Sequence, residues 1–264
     1  MKILYFADTV GKPGRAGIKH QLPLWREEFR PDVVALNGEN LAHGSGITRA
    51  HAEEMLSLGV DVITGGNHSF EGKGALDLLA DASFPIIRPA NVTAGISGRG
   101  YTFVKTSDGS ELLVINLIAQ TAGRYHYDSP FAALDEILED TAARTPHILL
   151  DWHAEFTSEK EVMGWYADGK VSAVVGSHTH VPTADARILP KGTAYISDVG
   201  MTGPYNSIIG VDPVASIQRF TQQIPIKPGL VEDGPIEINA VLIKTDTDTG
   251  KAVHIEHLRK VVEL

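Results

Sequence analysis

Short apolar strands alternate with helical segments over the first third of the chain, and this alternation limits the fold more than any other feature. Lys2–Ala7, Asp32–Leu36 and Val60–Thr64 carry the apolar runs that are typical of buried strands. The intervening segments are predicted to be a loop at Asp8–Gly14 and helices reaching Phe29, at Thr48–Leu58 and at Lys73–Ala82. Thr48 is the predicted N-cap of its helix, and Pro23 is predicted to bend or break the first helix.

The pattern then changes to strand pairs joined by turns. Tyr101–Thr106 and Glu111–Ile118 flank Ser107–Ser110, whose Asp-Gly pair suits a tight hairpin. Ile236–Thr245 and Val253–Val262 form a second pair across the turn at residues 246–251. The other predicted elements are the helices Phe131–Ala143, Ser158–Ala167 and Val214–Gln223, and the strands His147–Asp151, Val171–Gly176 and Thr193–Ser197. This mixture predicts a mixed sheet or two sheets covered by helices, in one domain over residues 1–264.

The composition decides which ligands a metal ion in this chain could have. The chain has no cysteine, so disulfides, thiolate chemistry and zinc sites with sulfur ligands are excluded. A formal net charge of -10 disfavours duplex nucleic acid as a partner, because that partner requires clustered Lys and Arg. No uncharged apolar stretch approaches the roughly 18 residues of a membrane helix, and we expect a cytoplasmic protein.

Polar side chains follow five of the predicted strands at the point where each strand ends. They are Asp8, Asn37–Asn40, Gly65–His68, His153 and Ser177–His180. In open α/β sheets, ligands bind beyond the carboxyl ends of the strands. Because all five exits would meet at that edge, the sequence predicts a metal site built from carboxylate, amide and imidazole groups.

Each of these residues taken alone also has an ordinary structural explanation. Asp8 could cap a helix, the asparagines could form turns, and His153 could be a hydrogen-bonded core histidine. His178 and His180 are harder to explain in this way. Alternate residues of a strand share one face, and two neighbouring neutral imidazoles suit a metal ion. His43, in the glycine-rich segment after the second exit, remains ambiguous.

These blocks, in this order, resemble the calcineurin-like metallophosphoesterase superfamily, and more closely its YmdB-like branch. The similarity to that branch covers nearly the whole chain. Its longest segments are NGENLAHGSGIT (Asn37–Thr48), RPAN (Arg88–Asn91), HAEFTSEK (His153–Lys160) and PKGTAYISDVGMTGP (Pro190–Pro204). The resemblance implies a four-layer α/β/β/α sandwich of two mixed β-sheets flanked by helices.

The resemblance also implies a dinuclear metal site bridged by Glu39. Carried over by position, the ligands of one ion would be Asp8, Glu39, Asn40 and His180, and those of the other Glu39, Asn67, His153 and His178. The chain departs from the wider superfamily at two positions. Val10 stands where a histidine ligand is usual, and Glu39 stands where the bridging residue is usually an aspartate. The ion near Asp8 is therefore expected to be held more weakly, with Asn40 compensating for the missing nitrogen.

Oxygen and imidazole ligands suit two divalent ions, with Fe or Mn²⁺ favoured and Zn²⁺ as an alternative. Two such ions can share a bridging water and lower its pKa, which would give a hydroxide that attacks phosphorus in line. His68 follows Asn67 and lies outside the implied ligand set, and it is our candidate general acid for the leaving oxygen. The alternative for His68 is that it only orients a metal-bound group.

The resemblance implies a phosphodiesterase acting on a small phosphodiester, with 2′,3′- and 3′,5′-cyclic nucleotides as candidates. A phosphomonoesterase or nucleotidase and a regulatory metal-binding scaffold are the alternatives, and a homo-oligomer is allowed. Phe70, Tyr125, Tyr127 and Tyr205 fall in predicted loops and could either stack on a base or pack. The two arginines that could bind phosphate, or lie solvated on the surface, are Arg15 and Arg88.

Overall fold

The computed structural model describes residues 1–123, 125–141 and 144–264, whose strands form two mixed sheets. The helices are α1 Gly11–Phe29, α2 Arg49–Ser57, α3 Ala75–Ala80, α4 Pro130–Thr141, α5 Thr157–Ala167 and α6 Pro213–Gln222. The strands are β1 Lys2–Phe6, β2 Val33–Asn37, β3 Val62–Thr64, β4 Tyr101–Lys105, β5 Glu111–Ile118, β6 Ile148–His153, β7 Ala173–Ser177, β8 Arg187–Ile188, β9 Ala194–Ile196, β10 Gly203–Pro204, β11 Ile236–Thr245 and β12 Ala252–Val262. None of these described helices has the length and apolar character needed to cross a bilayer.

The first sheet aligns the first three polar exits. β1, β2 and β3 run parallel, with Ile3 opposite Val33 and Ala35 opposite Val62. β11 pairs antiparallel with β1, and its length also allows it to pair with β10 and β12. Because β1 to β3 share one direction, their carboxyl ends lie at the same edge of the sheet.

The second sheet supplies the remaining two exits. Its strand order is β4-β5-β6-β7-β9-β8, in which β5, β6, β7 and β9 are parallel. β4 and β5 form the hairpin predicted around Ser107–Ser110, and the Asp108 carboxylate accepts a hydrogen bond from Ser110 N within that turn. β6 and β7 end side by side, with His153 opposite Ser177.

The two sheets pack face to face, and helices cover both outer faces. Alternate residues of the two sheets fill the central core, including Tyr5 from the first sheet and Leu149 from the second. The intervening residues, such as Phe6, face outward and pack against α1 and α2. Leu150 faces outward from the second sheet against α4 and α5. The predicted four-layer sandwich is therefore confirmed, while the single-domain organisation of residues 1–264 stays a prediction.

The local predictions for the first two helices had different outcomes. The predicted loop at Asp8–Gly14 ends early, because α1 begins at Gly11. Pro23 does not break α1, which stays continuous while Leu22 and Trp25 anchor it on both sides of the proline. Thr48 caps α2 as predicted, and its side chain accepts a hydrogen bond from His51 N. The predicted helix Phe131–Ala143 is observed up to its last two positions, which lie outside the described residues.

Candidate metal centre

The structure brings the predicted polar exits of both sheets to one place. Backbone hydrogen bonds couple the exits, with Thr9 N donating to Asn37 O at 3.0 Å. Gly38 N likewise donates to Thr64 O at 2.9 Å. The predicted side chains that become buried here are Asp8, Glu39, Asn40 and His153, and the half-buried ones are Asn67, His68, His178 and His180.

One group of side chains converges on the Nε2 atom of His153. Asn67 Oδ1 lies 2.9 Å from this nitrogen, His178 Nδ1 lies 3.0 Å from it, and Glu39 Oε1 lies 3.3 Å from it. A single proton on Nε2 can serve only one of these three neighbours well. The candidate ligand atoms of Glu39, His153 and His178 all lie within 4.8 Å of one another. A divalent cation between these groups would satisfy every one of them, and their donor types suit such an ion.

A second group is marked by buried oxygen atoms that lack a partner. Asp8 Oδ1 and Asn40 Oδ1 are buried, and neither has a hydrogen-bond partner among the described residues. Leaving a buried acceptor unsatisfied costs about 1–3 kcal/mol, and more for a charged group. His180 Nε2 lies 3.9 Å from Asp8 Oδ1. These atoms could hold a second cation, so the donor set fits the two-ion arrangement that the family resemblance implies.

Hydrogen bonds made by the Nδ1 atoms of His153 and His180 turn the Nε2 atom of each ring toward the cluster. Ser177 Oγ donates to Asp151 Oδ1 at 2.7 Å and therefore accepts from His153 Nδ1 at 2.9 Å. His180 Nδ1 donates to the carbonyl oxygen of Ile209 at 2.9 Å. Partners of this kind fix the tautomer of a metal-binding histidine and leave the other nitrogen free to ligate.

Burial and the neighbouring charges shift the pKa values of the cluster. Burial raises the pKa of Asp8 to about 6. Burial also opposes the Glu39–His153 ion pair, but mutual attraction outweighs it, so the pKa of Glu39 falls to about 2 and that of His153 rises to about 9. Burial and the adjacent His153 lower the pKa of His178 to about 3. His178 therefore stays neutral and keeps a lone pair available for a cation.

The close approach of Glu39 and His153 explains why a glycine, Gly66, precedes Asn67. A Cβ atom at Gly66 would lie 2.2 Å from Glu39 Oε2 and 2.4 Å from His153 Nε2. Any side chain at Gly66 would thus displace two of the candidate ligands.

The two histidines of the Ser177–His180 block do not share a strand face, so that premise was wrong. β7 ends at Ser177, and both histidines adopt left-handed backbone conformations, with φ of 96° at His178 and 66° at His180. A non-glycine residue adopts such a conformation only where the surroundings hold it. The turn nevertheless places both imidazoles at the cluster, although neither reaches it along a strand.

A buried ion pair holds this turn in place. Lys160 Nζ lies 3.0 Å from Asp198 Oδ2 and donates to Ser177 O at 2.6 Å. The same carboxylate accepts hydrogen bonds from the backbone and side chain of Thr179, at 3.1 and 2.8 Å. Lys160 is 3% exposed and Asp198 is 1% exposed, so neither charge has water as an alternative partner. This pair gives a physical role to two of the long sequence segments, HAEFTSEK and PKGTAYISDVGMTGP.

Replacing Lys160 with alanine is expected to lower the free energy of unfolding by about 3–5 kcal/mol, since Asp198 would keep a buried, unpaired charge. Denaturant-induced unfolding of metal-free protein measures this loss. Lys170→Ala is the matched control, because Lys170 Nζ lies 3.0 Å from Asp135 in an exposed pair. That variant should lose no more than about 1 kcal/mol. Equal losses in the two variants would contradict a stabilising role for the buried pair.

His68 lies at the edge of the cluster and has a carboxylate partner of its own. Its Nδ1 atom is 3.1 Å from Glu71 Oε1 and 3.2 Å from Ser45 Oγ, while its backbone N–H donates to Glu39 Oε2 at 2.9 Å. His68 lines a cavity of about 400 Å³ together with candidate ligands of both groups. The sequence analysis missed Glu71, which holds one ring nitrogen of His68 and leaves the other for the cavity.

The same cavity also contains two residues of α6 that were not anticipated, Arg219 and Phe220. Phe220 is 78% exposed, and Arg219 is the only arginine among the described residues that line this cavity. A helix at Val214–Gln223 was predicted, but nothing in its sequence indicated that it lies beside the candidate metal centre.

Several other candidates lie away from the centre or serve the fold. Arg15 is paired with Glu54 at 2.8 Å, and Arg88 donates to four backbone carbonyl oxygens, so both guanidinium groups are engaged structurally. His43 is exposed, and its ring centroid lies 6.3 Å from that of His51. The ambiguity over His43 is thus resolved in favour of a surface residue.

Comparison with known proteins supports a specific family. The model of the family described as "YmdB-like protein" matches residues 4–258. The chain is 46% identical to the 2′,3′-cyclic-nucleotide 2′-phosphodiesterase of Bacillus subtilis, over 98% of this chain and 96% of that protein.

Two solved structures share both the fold and the sequence. A hypothetical protein from Thermus thermophilus is 36% identical with a TM-score of 0.91, covering 99% of both chains. A protein from Mycoplasma pneumoniae described as a novel phosphatase is 32% identical with a TM-score of 0.92, covering 99% of this chain and 93% of that one. With matches of this extent, the chain belongs to the YmdB-like family.

Proposed function

We propose that the protein is a dinuclear metal-dependent phosphodiesterase that hydrolyses cyclic nucleotides, with 2′,3′- and 3′,5′-cyclic monophosphates as the candidate substrates. Hydrolysis of phosphoric esters is the chemistry named for the Bacillus subtilis and Mycoplasma pneumoniae relatives, and the chain is a hydrolase of that class. The observation that carries the proposal is the pair of orphaned buried oxygens on Asp8 and Asn40 beside the crowded ring nitrogen of His153.

Seven residues would hold the two ions. Asp8, Asn40 and His180 would bind one, Asn67, His153 and His178 would bind the other, and Glu39 would bridge them. When bound, Fe, Mn²⁺ or Zn²⁺ would act as Lewis acids that neutralise phosphate charge and make water nucleophilic near neutral pH. The chain itself fixes the ligands through Ser177, Asp151 and the backbone carbonyl of Ile209.

Besides the candidate metal ligands, the chain contributes a candidate proton donor and a positive charge that faces the substrate cavity. His68 lies beside Asn67 in the cavity, with Nδ1 held by Glu71, and its free edge can donate a proton to the leaving oxygen of the ester. The Glu71 carboxylate would stabilise the protonated imidazole before transfer. Arg219 extends a positive charge toward the same cavity, where it would attract an anionic substrate.

Metal removal and restoration test this proposal. Protein stripped with a chelator should lose turnover of bis-p-nitrophenyl phosphate and of 2′,3′-cyclic AMP, and restored Mn²⁺ or Fe²⁺ should recover both. The diester should be turned over faster than p-nitrophenyl phosphate. The opposite preference would favour a phosphomonoesterase, a second candidate supported by the name of the Mycoplasma pneumoniae relative. Full metal loading without any turnover would favour a binding scaffold.

A further inference from the structure

Three of the four loop aromatics singled out by sequence meet in a second cavity. Phe70, Tyr125 and Tyr127 line a space of about 460 Å³ together with apolar residues that include Val92 and Ile96. Tyr125 is 69% exposed, so its ring is left open to the solvent at the cavity. None of the described lining residues is Lys or Arg. The aromatic and apolar side chains of the described lining suit a flat group with an apolar face.

Two loops connect this cavity to the candidate metal centre. Phe70 follows Asn67 by three positions in one of them. In the other, Gly123 lies directly against Asn67, since a Cβ atom at Gly123 would be 3.0 Å from Asn67 Cβ.

The expected chemistry places the leaving oxygen of the substrate beside the candidate general acid, His68. A general acid must lie beside the oxygen that it protonates, and in a cyclic nucleotide that oxygen belongs to the ribose. The base is attached to the same ribose. Phe70 lines the aromatic cavity and follows His68, which lines the cavity of the candidate metal centre, by two positions in the same loop.

We propose that this aromatic cavity binds the nucleobase of the substrate, with the rings of Tyr125 and Phe70 as stacking surfaces. The proposal rests on the phosphodiesterase function proposed above and adds a base-recognition site to it. Aromatic side chains stack on any base, so such a site would accept nucleotides that carry different bases. The Tyr127 hydroxyl can add a hydrogen bond to the edge of the base.

A comparison of two substrates tests the base site. One is 2′,3′-cyclic AMP, and the other is the 2′,3′-cyclic phosphate of methyl ribofuranoside, which has no base. Tyr125→Ala is expected to raise KM for 2′,3′-cyclic AMP about tenfold, from the loss of one stacking partner, and to leave KM for the base-free ester unchanged. Tyr125→Phe should retain most of the affinity. The matched control is Tyr205→Ala, because Tyr205 is 44% exposed and outside the residues lining this cavity.

Adenosine binding to metal-stripped protein, measured by calorimetry, gives a readout that does not depend on turnover. Tyr125→Ala should weaken adenosine binding about tenfold, and Tyr205→Ala should not. Unchanged KM and unchanged adenosine binding in Tyr125→Ala would overturn the base site, as would equal KM changes for both substrates. A rise in KM with Phe220→Ala in place of Tyr125→Ala would do so as well, by placing the base over α6. If no phosphodiester is turned over at all, the proposed function fails, and adenosine binding still decides whether the cavity takes a base.

Discussion

Asp8→Ala is expected to reduce the metal content from two ions per chain to one. His178→Ala should remove the other ion, because Asp8 and His178 belong to different groups of candidate ligands. Loss of either ion should lower kcat/KM for phosphodiesters on the order of a hundredfold or more, given that changes in the support of metal ligands alone cost 10–100-fold. Equilibrium dialysis at limiting Mn²⁺ followed by elemental analysis measures the content.

The two ions are not expected to be equivalent. Val10 is buried and cannot ligate. Under the proposed assignment, the ion near Asp8 would therefore be held by the oxygens of Asp8 and Asn40, by His180 and by the shared Glu39. On dilution or brief chelation, wild-type protein should lose that ion first. The opposite order of loss would show that the orphaned oxygens of Asp8 and Asn40 bind more tightly than the three donors gathered around His153.

Two further variants control for damage to the fold. His257→Ala removes a half-buried histidine whose Nε2 bonds to Val199 O at 2.9 Å outside the cluster, and it should retain both ions. Asp8→Asn keeps an oxygen that can accept the hydrogen bond from His178 N and tolerates the left-handed backbone at this position, φ 25°. Full occupancy in both Asp8→Ala and His178→Ala would contradict the ligand assignment.

The layered fold could be predicted from the sequence because the patterns that indicate strands and turns are local and recur along the chain. Apolar runs such as Val33–Leu36 belong to strands buried on both faces, and the Asp-Gly turn at Asp108 specifies its hairpin within four residues. The predicted break at Pro23 is not observed, for the opposite reason. Tertiary packing of Leu22 and Trp25 against the first sheet outweighs a local propensity to break the helix.

The sequence predicted which side chains would gather at the candidate centre. It did not predict the residues that hold those side chains in place. Strand exits place Asp8 and His153 together, since parallel strands share an edge. The Lys160–Asp198 pair joins residues 38 positions apart through a turn whose backbone conformation no propensity indicates. The aromatic cavity likewise combines loops after β3 and β5, so neither Phe70 nor Tyr125 carries a local sign of the other.

His68→Ala is expected to lower kcat for 2′,3′-cyclic AMP by about 100- to 10,000-fold while both ions stay bound. The physical reason is that the leaving alkoxide loses its proton donor, whereas no candidate ligand atom is removed. A substrate with a p-nitrophenolate leaving group needs little protonation, so its kcat should fall much less. That difference between leaving groups distinguishes proton donation from a role in orienting a metal-bound group, which would affect both substrates alike.

Glu71→Gln extends the same test. Gln keeps a hydrogen bond to His68 Nδ1 but removes the charge that favours the imidazolium, so kcat should fall by less than in His68→Ala. His43→Ala is the matched control, being an exposed histidine outside the residues lining the cavity, and it should match wild type. A normal rate for His68→Ala with the cyclic nucleotide would refute the acid assignment. Loss of an ion from that variant would instead place His68 among the residues that hold the metals, because its backbone N–H already contacts Glu39, the proposed bridging residue.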